Sequence, residues 1–135
     1  MVDRRNFLKG AILAASGIAV GIPTKALASG DAFTGVVYTG NNSGKWKGKE
    51  GSHAPKVTVN GKKVTVETNH SMTEQHYIVR HTLVSSDGDF IGGKTFYPNE
   101  KKAVSTYELP PGKGATYHAT SFCNKHDLWL TKFSI

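Results

Sequence analysis

Cys123-Asn124-Lys125-His126 places the only cysteine of the chain three residues before a histidine. A thiolate and an imidazole at that spacing can both reach one metal ion. A second cluster lies upstream in His70-Ser71-Met72-Thr73-Glu74-Gln75-His76, and a further histidine in Ser52-His53-Ala54-Pro55. Four imidazoles and one sulfur thus come from three separated segments. That is the convergence a metal centre requires.

The segments between them read as strands. Val57–Val59 and Val64–Val66 are alternating β-branched runs on either side of Asn60-Gly61, which marks a hairpin turn. Tyr77–Val84, Phe90–Phe96, Ala103–Leu109, Ala115–Phe122 and Leu128–Phe133 are further strands, with Tyr77, Val79, His81 and Leu83 expected on one face. No helix longer than a turn is predicted. About seven short strands with regular turn signals predict an all-β protein, an immunoglobulin-like antiparallel β-sandwich. Gly40–Ser52 is too polar and glycine-rich for a core element and reads as a mobile loop, with Trp46 as its anchor. Ser71-x-x-Glu74 has the form of a capping box and predicts a tight turn between His70 and His76.

Strand parity sorts the histidines. In a regular strand Cys123 shares its face with Ser121, Ala119 and Tyr117, and His118 points the other way. By the same count His81 lies opposite His76. The candidate donors are therefore His53, His70, His76, Cys123 and His126. A structural zinc site is usually closed with four ligands; five protein ligands suit an iron ion with one open position. A cupredoxin wants a methionine soon after the C-terminal histidine, and none follows His126.

A chain of 135 residues has room for one domain with one core. A single cysteine excludes an intramolecular disulfide framework. Residues 1–28 read as a twin-arginine signal peptide: Arg4-Arg5-Asn6-Phe7-Leu8-Lys9, an apolar stretch from Ala11 to Ile22, and an Ala26-Leu27-Ala28 cleavage site. The apolar run falls short of the ~20 residues that span a bilayer, so cleavage is favoured over a retained anchor. This predicts a periplasmic protein made of one domain over residues 29–135. The formal charge is +7, and removing the leader's net +3 leaves +4. The basic balance does not point to nucleic acid, because Arg80 is the only arginine left after the leader.

His70-x-Met72-x-x-x-His76-Tyr77-Ile78, Cys123-Asn124-x-His126-x-x-Trp129 and His53-x-Pro55 together resemble the iron-centre domain of superoxide reductases, neelaredoxin and the C-terminal part of desulfoferrodoxin. The resemblance runs from about Glu50 to the C-terminus. It implies an immunoglobulin-like sandwich with one mononuclear non-haem iron, four equatorial imidazoles (His53, His70, His76, His126) and Cys123 as axial ligand. The implied activity is one-electron reduction of superoxide to hydrogen peroxide, with an external rubredoxin-like or cytochrome donor; self-association stays open. An axial thiolate raises electron density on the iron. Lys49 and Lys125 could steer an anionic substrate, although for either one an ordinary solvated surface role is the simpler reading. The family commonly has Glu-Lys directly before the first ligand histidine, where this chain has Gly51-Ser52; Lys49-Glu50, just upstream, is the pair available in their place. A family proline after the second histidine is here Ser71. The missing Glu-Lys pair keeps a non-catalytic iron or electron-transfer module in play, and a structural zinc domain is the third alternative.

Overall fold

The computed structural model describes residues 33–111 and 115–135; the expected signal peptide lies outside them. Gly35–Ile135 form one compact unit. Its strands are β1 (Val37–Tyr38), β2 (Lys56–Asn60), β3 (Lys63–Thr68), β4 (Ile78–Ser85), β5 (Phe90–Thr95), β6 (Ala103–Glu108), β7 (Thr116–Cys123) and β8 (Asp127–Ser134). They form two sheets, ordered β1-β8-β7-β4-β5 and β2-β3-β6. The all-β, two-sheet expectation holds, with one strand more than the sequence suggested. The extra strand, β1, has two residues and pairs parallel with β8; the other pairings are antiparallel.

Alternation explains how the strands pack. Along β7, Tyr117, Ala119, Ser121 and Cys123 are buried, while His118 lies on the opposite face. Val64 and Val66 of β3 join Leu83, Leu109, Tyr117 and Ala119 in one apolar cluster. Ile78, Phe96, Ala103 and Cys123 form a second, with Met72 packed against it. The thiol of Cys123 therefore belongs to the core as well as to the site.

Two details differ from simple parity. The β2–β3 turn is centred on Gly61-Lys62, since Asn60 pairs with Lys63. Gly61 has φ 66° and Lys62 does not share that sign, the pattern of a hairpin turn with glycine at its first central position. In β4 the register shifts between Ile78 and Arg80 against β7. Val79 is the extra residue of a bulge, so Ile78, not Val79, shares the buried face with His81 and Leu83. Ile78 thereby comes to pair with Cys123.

His81 is fully buried and satisfied. Its Nε2 meets Thr68 Oγ1 at 2.8 Å, its Nδ1 meets Ser105 Oγ at 2.8 Å, and Thr68 Oγ1 also meets Ser121 Oγ at 2.7 Å. Those four residues come from β3, β4, β6 and β7, so the network bolts the two sheets together. A buried polar network is stable only when every member is paired.

Burial, and secondarily the charge of Lys94, pushes the His81 imidazole down from 6.5 to about 4. As pH falls through that window the unfolded chain binds a proton that the folded chain refuses. Stability from this group is complete above 6.5, falls between 6.5 and 4, and levels off below. The loss amounts to about 3 kcal/mol at most. We expect the urea midpoint of the metal-free protein to drop between pH 7 and about 4.5, and His81→Asn to flatten the slope. A midpoint indifferent to pH would contradict this.

Candidate metal centre

Three loops at one end of the sandwich carry the predicted donors. Gly40–Ser52 is more ordered than a bare loop: Gly44–Trp46 make a 3₁₀ turn and Glu50–His53 a single helical turn, α1. Ala54 N closes α1 on Glu50 O at 2.9 Å. At its end His53 is buried, 3% exposed, with Nδ1 3.1 Å from Lys49 O and 2.8 Å from Ser52 Oγ. A carbonyl only accepts, so Nδ1 carries the proton and Nε2 keeps its lone pair.

The turn between His70 and His76 is not closed by Ser71 and Glu74. It runs from Thr73 to His76, whose backbones exchange bonds at 3.1 and 3.2 Å. Thr73 Oγ1 accepts from His76 N at 3.1 Å. Thr73 wins because its hydroxyl sits beside the backbone it serves. His70 Nδ1 donates to Ser71 O at 2.5 Å, which again turns Nε2 towards the cluster.

Cys123 ends β7 and His126 is the last residue of the three-residue loop of the β7–β8 hairpin, where Cys123 pairs with Asp127. Asp127 has φ 69°, the left-handed residue that closes such a loop. Trp129 Nε1 donates to His126 O at 2.8 Å. Asn124 ties this hairpin to the His76 segment. Its Oδ1 accepts from Tyr77 N at 3.0 Å, its Nδ2 donates to Gln75 O at 3.1 Å, and its backbone N donates to Tyr77 O at 3.2 Å.

The five predicted donors meet. Ligand atoms of His53, His70, His76 and Cys123 lie within 4.8 Å of one another. His126 Nδ1 is 3.1 Å from His53 Nε2, 3.0 Å from His76 Nε2 and 3.6 Å from Cys123 Sγ; His76 Nε2 is 3.0 Å from His70 Nε2. The nitrogens thus run in the order 53–126–76–70. Neutral imidazoles cannot satisfy all three contacts. With lone pairs on His53 and His70 Nε2, hydrogen bonds need protons on both His126 and His76, which then face each other. A cation shared by all four removes that conflict. Nitrogens at right angles about a metal ~2.1 Å away lie roughly 3.0 Å apart, as these do. The donor set fits a metal ion.

The electrostatics agree. Burial lowers His53 to about 4 and lowers His76 and His126, with further lowering from their neighbours and from Lys49 and Lys125. Those imidazoles stay neutral and able to ligate at pH 7. Burial raises the Cys123 thiol, so it ionises readily only with a cation beside it. Cys123 and His53 close one side of the cluster, while His70, His76 and His126 are half-buried.

Lys49 stands close enough for its charge to bear on His76 and His126. Glu50 turns elsewhere: it accepts from Ser43 Oγ at 2.5 Å and from Gly48 N at 3.1 Å. Those bonds hold its carboxyl below the usual range. Sequence reasoning did not assign the Lys49 carbonyl, Asn124 or Asp127 to the site. Asn124 alone had a signal, its place inside the Cys-x-x-His spacing.

The desulfoferrodoxin family model matches residues 43–132, and the chain belongs to that family. Its structure is similar to that of superoxide reductase (neelaredoxin) from Ignicoccus hospitalis, at 25% identity and TM-score 0.61, over 76% of this chain and 96% of that one. It is similar to the superoxide reductase from Treponema pallidum, at 27% identity and TM-score 0.52, over 62% and 67%. The superoxide reductase from Giardia intestinalis shares the fold, at 21% identity and TM-score 0.58, over 62% and 98%. Among curated proteins, none matches.

Removing a group that orients a ligand loop costs about 10–100-fold in metal affinity. We expect Asn124→Ala to weaken metal binding by about tenfold or more in chelator competition. Affinity within twofold of the parent would contradict the clamp.

Proposed function

We propose that the protein is a superoxide reductase, holding one mononuclear iron through His53, His70 and His76 Nε2, His126 Nδ1 and Cys123 Sγ. The observation that carries this reading is the meeting of four imidazole nitrogens and one sulfur in a member of the desulfoferrodoxin family. Iron bound there supplies the one-electron couple that turns superoxide into hydrogen peroxide, with an external protein donor restoring the electron.

The chain's own residues do the rest. Cys123, packed among Ile78, Phe96 and Ala103, offers its sulfur from the dry side, leaving the half-buried histidine side for the substrate. Lys49 and Lys125 put positive charge beside that side and draw an anion towards it. Lys49 takes the part of the family's missing lysine. Glu50 reaches the cluster only if its bonds to Ser43 and Gly48 break; in its present place it fixes the loop that carries Lys49. The Arg4-Arg5 leader and Ala26-Leu27-Ala28 support export to the periplasm.

Gly51-Ser52 in place of Glu-Lys favours one second reading, an iron-bearing electron-transfer module without turnover. Pulse radiolysis separates the two. Ferrous protein is expected to remove superoxide in a fast second-order reaction sustained by a donor. Lys49→Ala with Lys125→Ala is expected to slow it by about 2–10-fold at low ionic strength, the difference fading with salt. Superoxide decaying at its uncatalysed rate would defeat the enzyme reading.

A further inference from the structure

His53 and His70 are each oriented by a hydrogen bond from Nδ1 to a main-chain carbonyl. His126 is held differently. Its Nδ1 faces the cluster, and no hydrogen bond among the described residues engages its Nε2. Against its ring stands Trp46, with centroids 4.5 Å apart and planes at 86°. The indole is itself pinned: Nε1 donates to Asp127 Oδ2 at 3.0 Å, over 81 positions of sequence. Lys45 Nζ lies 4.9 Å from the Trp46 ring centre and 4.0 Å from Asp127 Oδ2, covering the pair from outside.

Asp127 directly follows His126 and has φ 69°, a conformation that costs a non-glycine residue unless its surroundings impose it. Glycine would close the hairpin loop with less strain, but glycine has no carboxylate for Trp46. The position thus combines two demands, a left-handed turn and an acceptor aimed at the indole. Aspartate and asparagine meet both.

We propose that Trp46 and Asp127 form a strap across the site, positioning residues that fix the His126 ring and tie the Lys49 loop to the Cys123–His126 hairpin. The strap does the work that a carbonyl does for His53 and His70. It also makes the two loops move together, so that Lys49 stays beside the cluster when the ligand set is filled. The inference rests on the metal reading above and concerns residues outside the five donors.

Cobalt(II) loading tests it apart from turnover. The visible d–d bands report the ligand field, and the rate of cobalt release to a chelator reports how firmly the set is held. In Trp46→Leu and Asp127→Ala the bands should shift and release should quicken by about tenfold or more. Asp127→Asn keeps the turn and the acceptor and should stay within about threefold of the parent. Trp46→Phe keeps a ring without its N–H and should fall between. If Trp46→Leu fails to fold, Asp127→Ala carries the test alone. A role in general stability alone would lower the denaturation midpoint of the metal-free variants and leave the bands of the loaded ones unmoved; that result overturns the strap. So does an Asp127→Asn variant as impaired as Asp127→Ala. A parent protein that binds no cobalt overturns the metal reading and the strap with it, whereas a well-loaded parent with unaffected variants overturns the strap only.

Discussion

Four imidazole nitrogens in a row, with both end members committed to lone pairs, cannot be satisfied by protons of their own. The protonated Nδ1 atoms of His53 and His70, fixed by Lys49 O and Ser71 O, impose that condition. The middle contact, His76 Nε2 to His126 Nδ1 at 3.0 Å, then needs something other than hydrogen. Two nitrogens held 3.0 Å apart with no hydrogen between them gain nothing from that contact, so the arrangement is stable when a cation completes it. The surrounding structure works as a device for holding those donors together against their own preference.

The sandwich supplies the rigidity. The network of Thr68, His81, Ser105 and Ser121 spans both sheets, and the bulge at Val79 turns Ile78 inward next to Cys123. Cys123 is thereby a core residue whose sulfur faces the other donors, and the backbone of Lys125 and His126 hydrogen-bonds to that sulfur. The remaining candidate donors sit on loops, and each loop has its own tie: α1 for His53, Thr73 for His76, Asn124 and Trp129 for the hairpin. Placing donors on short loops anchored to a rigid sheet gives precision on one side and access on the other.

Much of this was legible from residue types and spacing. The Cys-x-x-His and His-x5-His spacings named four of the donors and the isolated His53 gave the fifth, because a metal-ligating residue must be of a few types. His118 falls on the outer face, whereas His81, set aside by parity, lies on the same buried face as Cys123 and stays out of the cluster because Thr68 and Ser105 engage both its nitrogens. Alternation gave the strands for the same reason: a half-buried strand has to repeat every two residues. What alternation misses is the bulge, where one extra residue at Val79 reverses the face of Ile78. A strand as short as Val37–Tyr38 has too few residues to show a period. The turn was misassigned to Ser71 and Glu74 because a capping pattern presupposes a helix, and none forms between His70 and His76. Trp46 was recognisable as an anchor, yet its partner lies 81 positions away, a distance at which sequence spacing says nothing. Glu50 illustrates the converse: its sequence position suggested the site, and its hydrogen bonds with Ser43 and Gly48 keep it within its own loop.

The most direct measurement is the visible spectrum of the iron-loaded protein after mild oxidation, recorded beside Cys123→Ser. A sulfur ligand to ferric iron gives a thiolate charge-transfer band, so the account predicts a coloured protein whose band disappears when the sulfur becomes oxygen. A colourless iron-loaded protein, or a band that survives in Cys123→Ser, would contradict the joint histidine and cysteine centre.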